Sequence, residues 1–316
     1  MLGAFSHSLF RYLCTRRDLL RLFLAAAVAS LASNKAQAQS SGPLMRKIPS
    51  SGESIPAIGL GTSDVFDVGA GAAERAPLAE VLRIFHAAGG RLIDSSPMYG
   101  AAESVVGDLL RRTGLNQQVF RATKVWTMGR LAGIRQMEES ERRMGGEKLD
   151  LIQVHNLLDT ETHLATLRDW KAAGRIRYLG VTHYTAGAHS QLEQLVRAEP
   201  LDFVQINYSV AEPEAAERLL PACAARGVAV LVNRPFADGR LFSAVRGKEL
   251  PDWATAFDCH SWAQFFLKYC LAHPATTCVI PATSKAQHME DNMRAGHGRL
   301  PDAAQQRRMR EFVASL

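Results

Sequence analysis

No two cysteines of this 316-residue chain are spaced C-x-x-C, so zinc ribbons and thioredoxin-type redox motifs are excluded. Cys223, Cys259, Cys270 and Cys278 are scattered through the C-terminal third, and most of the four read as buried free thiols. H-x-H pairs and carboxylate clusters are missing from the strand ends assigned below. That argues against a metal-dependent barrel hydrolase and leaves no metal site to expect. Internal repeats and low-complexity tracts are absent too. Beyond residue 32 no apolar run approaches the roughly 20 residues that cross a bilayer.

The apolar run before that point has its own meaning. TRRDLLRLFLAAAVASLA, from Thr15, sets Arg16–Arg17 ahead of an apolar stretch, and AQA follows at Ala36–Ala38. A charged leader, an apolar segment and small residues around a cleavage point mark an export signal. The paired arginines point to the twin-arginine export machinery as a partner and to a periplasmic or exported protein. The expected division is a signal peptide over residues 1–38 and one domain over 39–316. With 38 residues removed, 278 remain, a suitable length for one eight-stranded α/β barrel. The leader holds five basic residues (Arg11, Arg16, Arg17, Arg21, Lys35) and one acid, Asp18, so the chain's net charge of +6 falls to about +2 without it. A near-neutral body argues against nucleic acid as the main partner, and cleavage leaves no stable membrane span.

Eight short aliphatic runs follow: IPAIGLG, RLIDSS, VFRATKVW, LDLIQVH, IRYLGVTHY, LDFVQINY, GVAVLVNRPF and TTCVIPATS. They are nearly continuous in apolar residues, as strands covered on both faces are. Helical periodicity lies between and after them, over residues 76–88, 101–112, 131–144, 161–173, 188–197, 212–225, 262–272 and 287–295, with a last helix near 302–314. Regular β-then-α alternation at this length predicts a (β/α)8 TIM barrel. Residues 237–258 form a longer connection after the seventh strand, and such loops often cover a ligand.

Reacting groups of these barrels sit at the C-terminal strand ends. The second strand ends on Asp94, with Tyr99 just beyond it. The third carries Lys124 near its end, and the fourth ends on His155. A lysine inside an apolar strand needs a carboxylate partner, because a buried unpaired ammonium is costly. Asp94 can supply it. A tyrosine, with its ordinary pKa near 10, is a slow proton donor at neutral pH, but a neighbouring ammonium favours phenolate. His155 can orient and polarise a substrate oxygen. Together the four suit the protonation of an oxygen on which negative charge develops.

These residues, with IGLGTS near the start and IPATSKAQHMEDN near the end, resemble the aldo-keto reductase family over essentially the whole chain after the leader. The resemblance implies a (β/α)8 barrel that reduces the carbonyl of a small-molecule aldehyde or ketone. It implies Asp94, Tyr99, Lys124 and His155 as the catalytic tetrad. The cofactor implied is NADPH, bound across the C-terminal face without a G-x-G-x-x-G motif. Gly59, Leu60, Gly61 and Thr62 would contact it from the first strand. Thr182 and His183 stand where the family has Ser-Asn, and Gln205 matches the carboxamide ligand. Asn233 replaces an aromatic that stacks on nicotinamide in many members, and Arg234 after it is a pyrophosphate contact. Thr283, Ser284, Lys285, His288, Asp291 and Asn292 would hold the adenosine end, where a helix N-terminus favours phosphate. Ala282 and His288 stand where many NADP-dependent members carry basic residues, so NADH is the alternative cofactor. Phe66, Met98, Trp126 and Trp253 are candidates for the substrate pocket. The competing reading is a nucleotide-binding sensing or partner-binding subunit with little turnover.

Overall fold

The computed structural model describes residues 42–146 and 148–316; the leader expected over 1–38 lies outside them. An antiparallel hairpin comes first, with β1 at Met45–Lys47 and β2 at Ser54–Pro56. Eight parallel strands then pair in chain order: β3 (Leu60–Gly61), β4 (Leu92–Asp94), β5 (Phe120–Val125), β6 (Leu151–His155), β7 (Tyr178–Thr182), β8 (Phe203–Asn207), β9 (Ala229–Asn233) and β10 (Thr276–Val279). Isolated parallel bridges, Ile58 with Val279 and Gly61 with Ala282, join the two edges and close the barrel. The close approach at this seam requires glycine, since a Cβ on Gly61 would lie 2.7 Å from the Ile280 carbonyl oxygen.

Strand residues alternate between two cores, as side chains in a β-strand must. Ile93, Ile152, Val154, Leu179, Val181, Val204, Ile206, Val230 and Val232 pack outward under the helices. Leu92, Phe120, Leu151, Tyr178, Phe203, Ala229 and Leu231 fill the barrel interior. Ile48 and Ile55 of the hairpin belong to that inner cluster and stop the N-terminal end, where the rings of Phe120, Tyr178 and Phe203 meet within about 6 Å. Sequence patterning had assigned IPAIGLG to a single strand. The chain divides it between the plug and β3, because Ile55 faces the barrel floor while Leu60 and Gly61 pair with β4.

The outer layer is built from α1 (Ala72–Ala87), α2 (Ala102–Thr113), α3 (Arg130–Arg143), α4 (Thr160–Ala172), α5 (His189–Ala198), α6 (Leu219–Arg226), α7 (Arg240–Ala244), α8 (Trp262–Ala272), α9 (Ala286–Arg294) and α10 (Ala303–Ala314). Glycines at φ 71° and 65° end α2 and α6 (Gly114 and Gly227), a conformation that costs other residues more. Residues 237–258, expected as loop, contain α7 and a 3₁₀ turn at Asp252–Phe257. Among the described residues no helix is long and apolar enough to cross a membrane.

Candidate active site

The side chains that point into the barrel change character along each strand. Leu92 is followed by Asp94, Phe120 by Ala122 and Lys124, and Leu151 by Gln153 and His155. Phe203 is followed by Gln205, and Leu231 by Asn233. The apolar floor therefore gives way to a polar top at the C-terminal ends of the strands. There a cleft of about 620 Å³ opens, lined by Asp94, Tyr99, His155, Thr182, Gln205 and Asn233 among others.

Lys124 is fully buried, and its Nζ donates to Asp94 Oδ2 and to the Ser95 carbonyl, each at 2.7 Å. Burial by itself would push its pKa down. The Asp94 carboxylate and the Tyr99 hydroxyl outweigh that and hold it above the ordinary lysine value. The other oxygen of Asp94 accepts from Gln153 Nε2 at 3.1 Å and Gln205 Nε2 at 2.9 Å, so this buried carboxylate is fully engaged. Tyr99 sits in the turn after β4. Its ring centroid lies 4.8 Å from Lys124 Nζ and 6.1 Å, edge-on, from the His155 ring. His155 is pushed down to about 3, first by burial and then by the charge of Lys124. It is accordingly a neutral imidazole at ordinary pH. The four residues expected to act together are thus adjacent at one rim.

Of the residues expected at the cofactor, Gly61, Thr62, Thr182, Gln205, Asn233 and Arg234 line the cleft. The His183 side chain does not. Its Nδ1 accepts N–H bonds from Tyr184 and Thr185 in its own loop. The Arg234 guanidinium is clamped by both oxygens of Asp238, at 2.8 and 2.6 Å, and also donates to the Tyr184 carbonyl. A second cavity of about 380 Å³ shares Phe236 and Ala282 with the first and is lined by Thr283, His288, Asp291 and Asn292. Ser284 and Lys285 lie beside it, immediately before α9, outside its lining.

Two residues expected in the substrate pocket are elsewhere. Phe66 is fully buried in the core between barrel and helices. Trp253 packs on Phe257, Phe265 and Phe312, with the Arg308 guanidinium 4.4 Å over its ring. Both were assigned by loop position, and both pack where a large apolar ring buries most area. Met98 and Trp126 are exposed and do not line the cavity, although the Trp126 ring stands 6.5 Å from that of His155. The cleft uses residues that the sequence did not single out. Tyr184 is half-exposed in its wall. Asn156 lines it too, at φ 50°, with a buried Oδ1 that has no partner. Gln153 could have been found by counting back two residues from His155 to the next inward position.

A closed barrel with Asp94, Tyr99, Lys124 and His155 at its C-terminal rim, beside a cleft, suits the protonation of a substrate oxygen, as an oxidoreductase of carbonyls requires. Residues 57–312 match the family model described as the Aldo/keto reductase family, and the chain belongs to that family. It is 30% identical to the methylglyoxal reductase YeaE of Escherichia coli (strain K12), over 76% of this chain and 84% of the relative. It is 27% identical to an NADH-specific methylglyoxal reductase of the same organism, over 67% and 74%. A crystal structure of an aldo/keto reductase from Klebsiella pneumoniae, in complex with NADP and acetate, superposes with a TM-score of 0.70 at 27% identity, covering 83% of this chain and 93% of that one.

The residues present fit a nicotinamide dinucleotide. Asn233 Oδ1 is buried with no partner in the cleft wall, an acceptor suited to an amide N–H. The second cavity ends on α9, whose first N–H groups have no side-chain cap and can receive a phosphate oxygen.

Proposed function

We propose that the cleft reduces the carbonyl of a small aldehyde or ketone to an alcohol, with Tyr99 as proton donor and 2-oxoaldehydes of the methylglyoxal kind as the first substrates to examine. The cofactor is a nicotinamide nucleotide, with NADPH as the expected form and NADH as the alternative. When bound, it supplies the hydride that reaches the carbonyl carbon. The Tyr99 hydroxyl gives its proton to the carbonyl oxygen as charge develops there. The Lys124 ammonium stabilises the phenolate left behind, and Asp94 keeps Lys124 charged and in place. His155, neutral, directs an N–H at the same oxygen. The observation that carries this reading is the fully buried Lys124, tied to Asp94 at 2.7 Å and standing 4.8 Å from the Tyr99 ring. A structural ion pair has no need of a phenol at that distance. We also propose that residues 1–38 direct export by the twin-arginine route.

NADPH absorbance followed with a panel of aldehydes, ketones and 2-oxoaldehydes tests the chemistry. Tyr99→Phe is expected to lower kcat by roughly 10²–10⁴-fold, the usual weight of a general acid, while nucleotide binding by fluorescence is retained. Unchanged turnover in Tyr99→Phe would overturn the proton-donor role. Tight nucleotide binding with no turnover of any carbonyl would favour a sensing subunit instead.

A further inference from the structure

We propose that Ser96 is a positioning residue for His155: its hydroxyl donates to Nδ1 and fixes the imidazole as the tautomer whose Nε2–H faces the cleft. The inference rests on the reading in which His155 directs an N–H at the substrate oxygen. Ser96 is fully buried in the turn between Asp94 and Tyr99. Its Oγ lies 3.2 Å from His155 Nδ1, and the same oxygen accepts the Met98 N–H at 3.2 Å. Its carbonyl accepts the Tyr99 N–H at 3.1 Å. One serine therefore ties together the turn that carries Tyr99 and the ring that faces it.

Proton counting settles the direction of the bond. A serine hydroxyl has one hydrogen to give and two lone pairs to receive with. One lone pair takes the Met98 N–H. Among the described residues Nδ1 is the one acceptor within hydrogen-bond reach of Oγ. If Nδ1 carried the ring proton, the Ser96 hydrogen would be buried without an acceptor, and Nε2 would turn a lone pair toward the carbonyl oxygen. Both are unfavourable. With Ser96 donating, Nδ1 holds the lone pair, and a neutral ring must carry its proton on Nε2. Nε2 bonds to no described residue, and the ring lines the cleft, so this N–H is free for substrate. Burial and the nearby charge of Lys124 keep the ring neutral, without which the choice of tautomer would not arise.

The test begins with wild-type protein labelled with ¹⁵N at histidine. His155 is assigned by the signals lost in His155→Gln. The expected pattern is a protonated Nε2 and an unprotonated Nδ1 at pH 7, and the reverse overturns the proposal even if no Ser96 variant folds. Ser96→Ala is expected to mix the tautomers and lower kcat by about 10- to 100-fold, by analogy with losing the partner that orients a metal-ligating histidine. NADPH affinity by fluorescence should not change. Ser96→Thr, which keeps the hydroxyl, should recover the wild-type ¹⁵N pattern. Unchanged kcat in Ser96→Ala overturns the inference. Full turnover in Tyr99→Phe would instead overturn the underlying reading of the site, so the two failures are told apart.

Discussion

Asp94 and Lys124 can be removed one at a time or together, and the two experiments ask different questions. Asp94→Asn leaves an ammonium inside the barrel facing neutral acceptors such as the Ser95 carbonyl and no carboxylate. Breaking a buried pair from one side costs about 3–5 kcal/mol. Adding Lys124→Met removes the stranded charge, and replacing both members of such a pair is often neutral. Urea unfolding should therefore show Asp94→Asn strongly destabilised and the double variant largely recovered, while both lack turnover. An Asp94→Asn protein as stable as wild type would show that the pair is not the buried unit described. This much of the site was legible in sequence: a carboxylate that ends an apolar strand and a lysine inside the next are anomalies that explain each other. Ser96, Gln153 and Asn156 were not singled out from the sequence. Their roles depend on which way a turn hydroxyl points, on the inward register of β6 and on a left-handed residue at φ 50°. Phe66 and Trp253 misled because an aromatic in a connection is equally at home facing ligand or core.

At the scale of elements, agreement follows the strength of the local signal. The helix expected over 262–272 is α8, Trp262–Ala272, residue for residue, because Ser261 caps it by accepting the Gln264 N–H at 3.0 Å. The helix expected from residue 76 begins at Ala72. Pro77, a residue suited to a first turn, sits more than one turn inside it. The segment expected as one helix over 212–225 resolves into a 3₁₀ turn at Glu214–Ala216 and the shorter α6, with Pro213 and Pro221 punctuating it. The hairpin of β1 and β2 gave no clear signal, because its strands are three residues long and its purpose is tertiary. That purpose can be tested. Ile48 is fully buried against the floor cluster, and Ile48→Ala should cost about 2–5 kcal/mol, as deletion of buried methyls does. The denaturation midpoint is expected to fall while kcat and KM at a permissive temperature stay at wild-type values, because the chemistry is at the other end of the barrel. A change in KM without loss of stability would contradict this division.

At the scale of the whole molecule, the barrel must close before its cleft exists, and this bears on the export route proposed for residues 1–38. The cleft draws on β3, β4 and β6 through β9 and on the first-to-last strand seam at Gly61 and Ala282, so it exists only once the barrel has closed. A nucleotide bound there would be held by residues distant in sequence, since the two cavities are lined by residues from Thr62 to Asn292. Free nucleotide at 100 times its dissociation constant adds about 2.7 kcal/mol to the folded state. Threading the chain unfolded through a membrane would forfeit that ligand, whereas the twin-arginine route takes proteins already folded around their cofactors. Arg16–Arg17 is the pair we propose that route reads. In a bacterial host, full-length protein is therefore expected in the periplasmic fraction with a mature N-terminus at Gln39, checked by cell fractionation and intact-mass spectrometry. Replacing the pair by Arg16→Lys and Arg17→Lys should keep it in the cytoplasm, uncleaved and active in the NADPH assay, because neither residue is among those assigned to the site. Equal export of the two forms would sink the proposed route and leave the reading of the cleft untouched. A cytoplasmic twin-lysine variant that had lost activity would show that this leader affects more than the address.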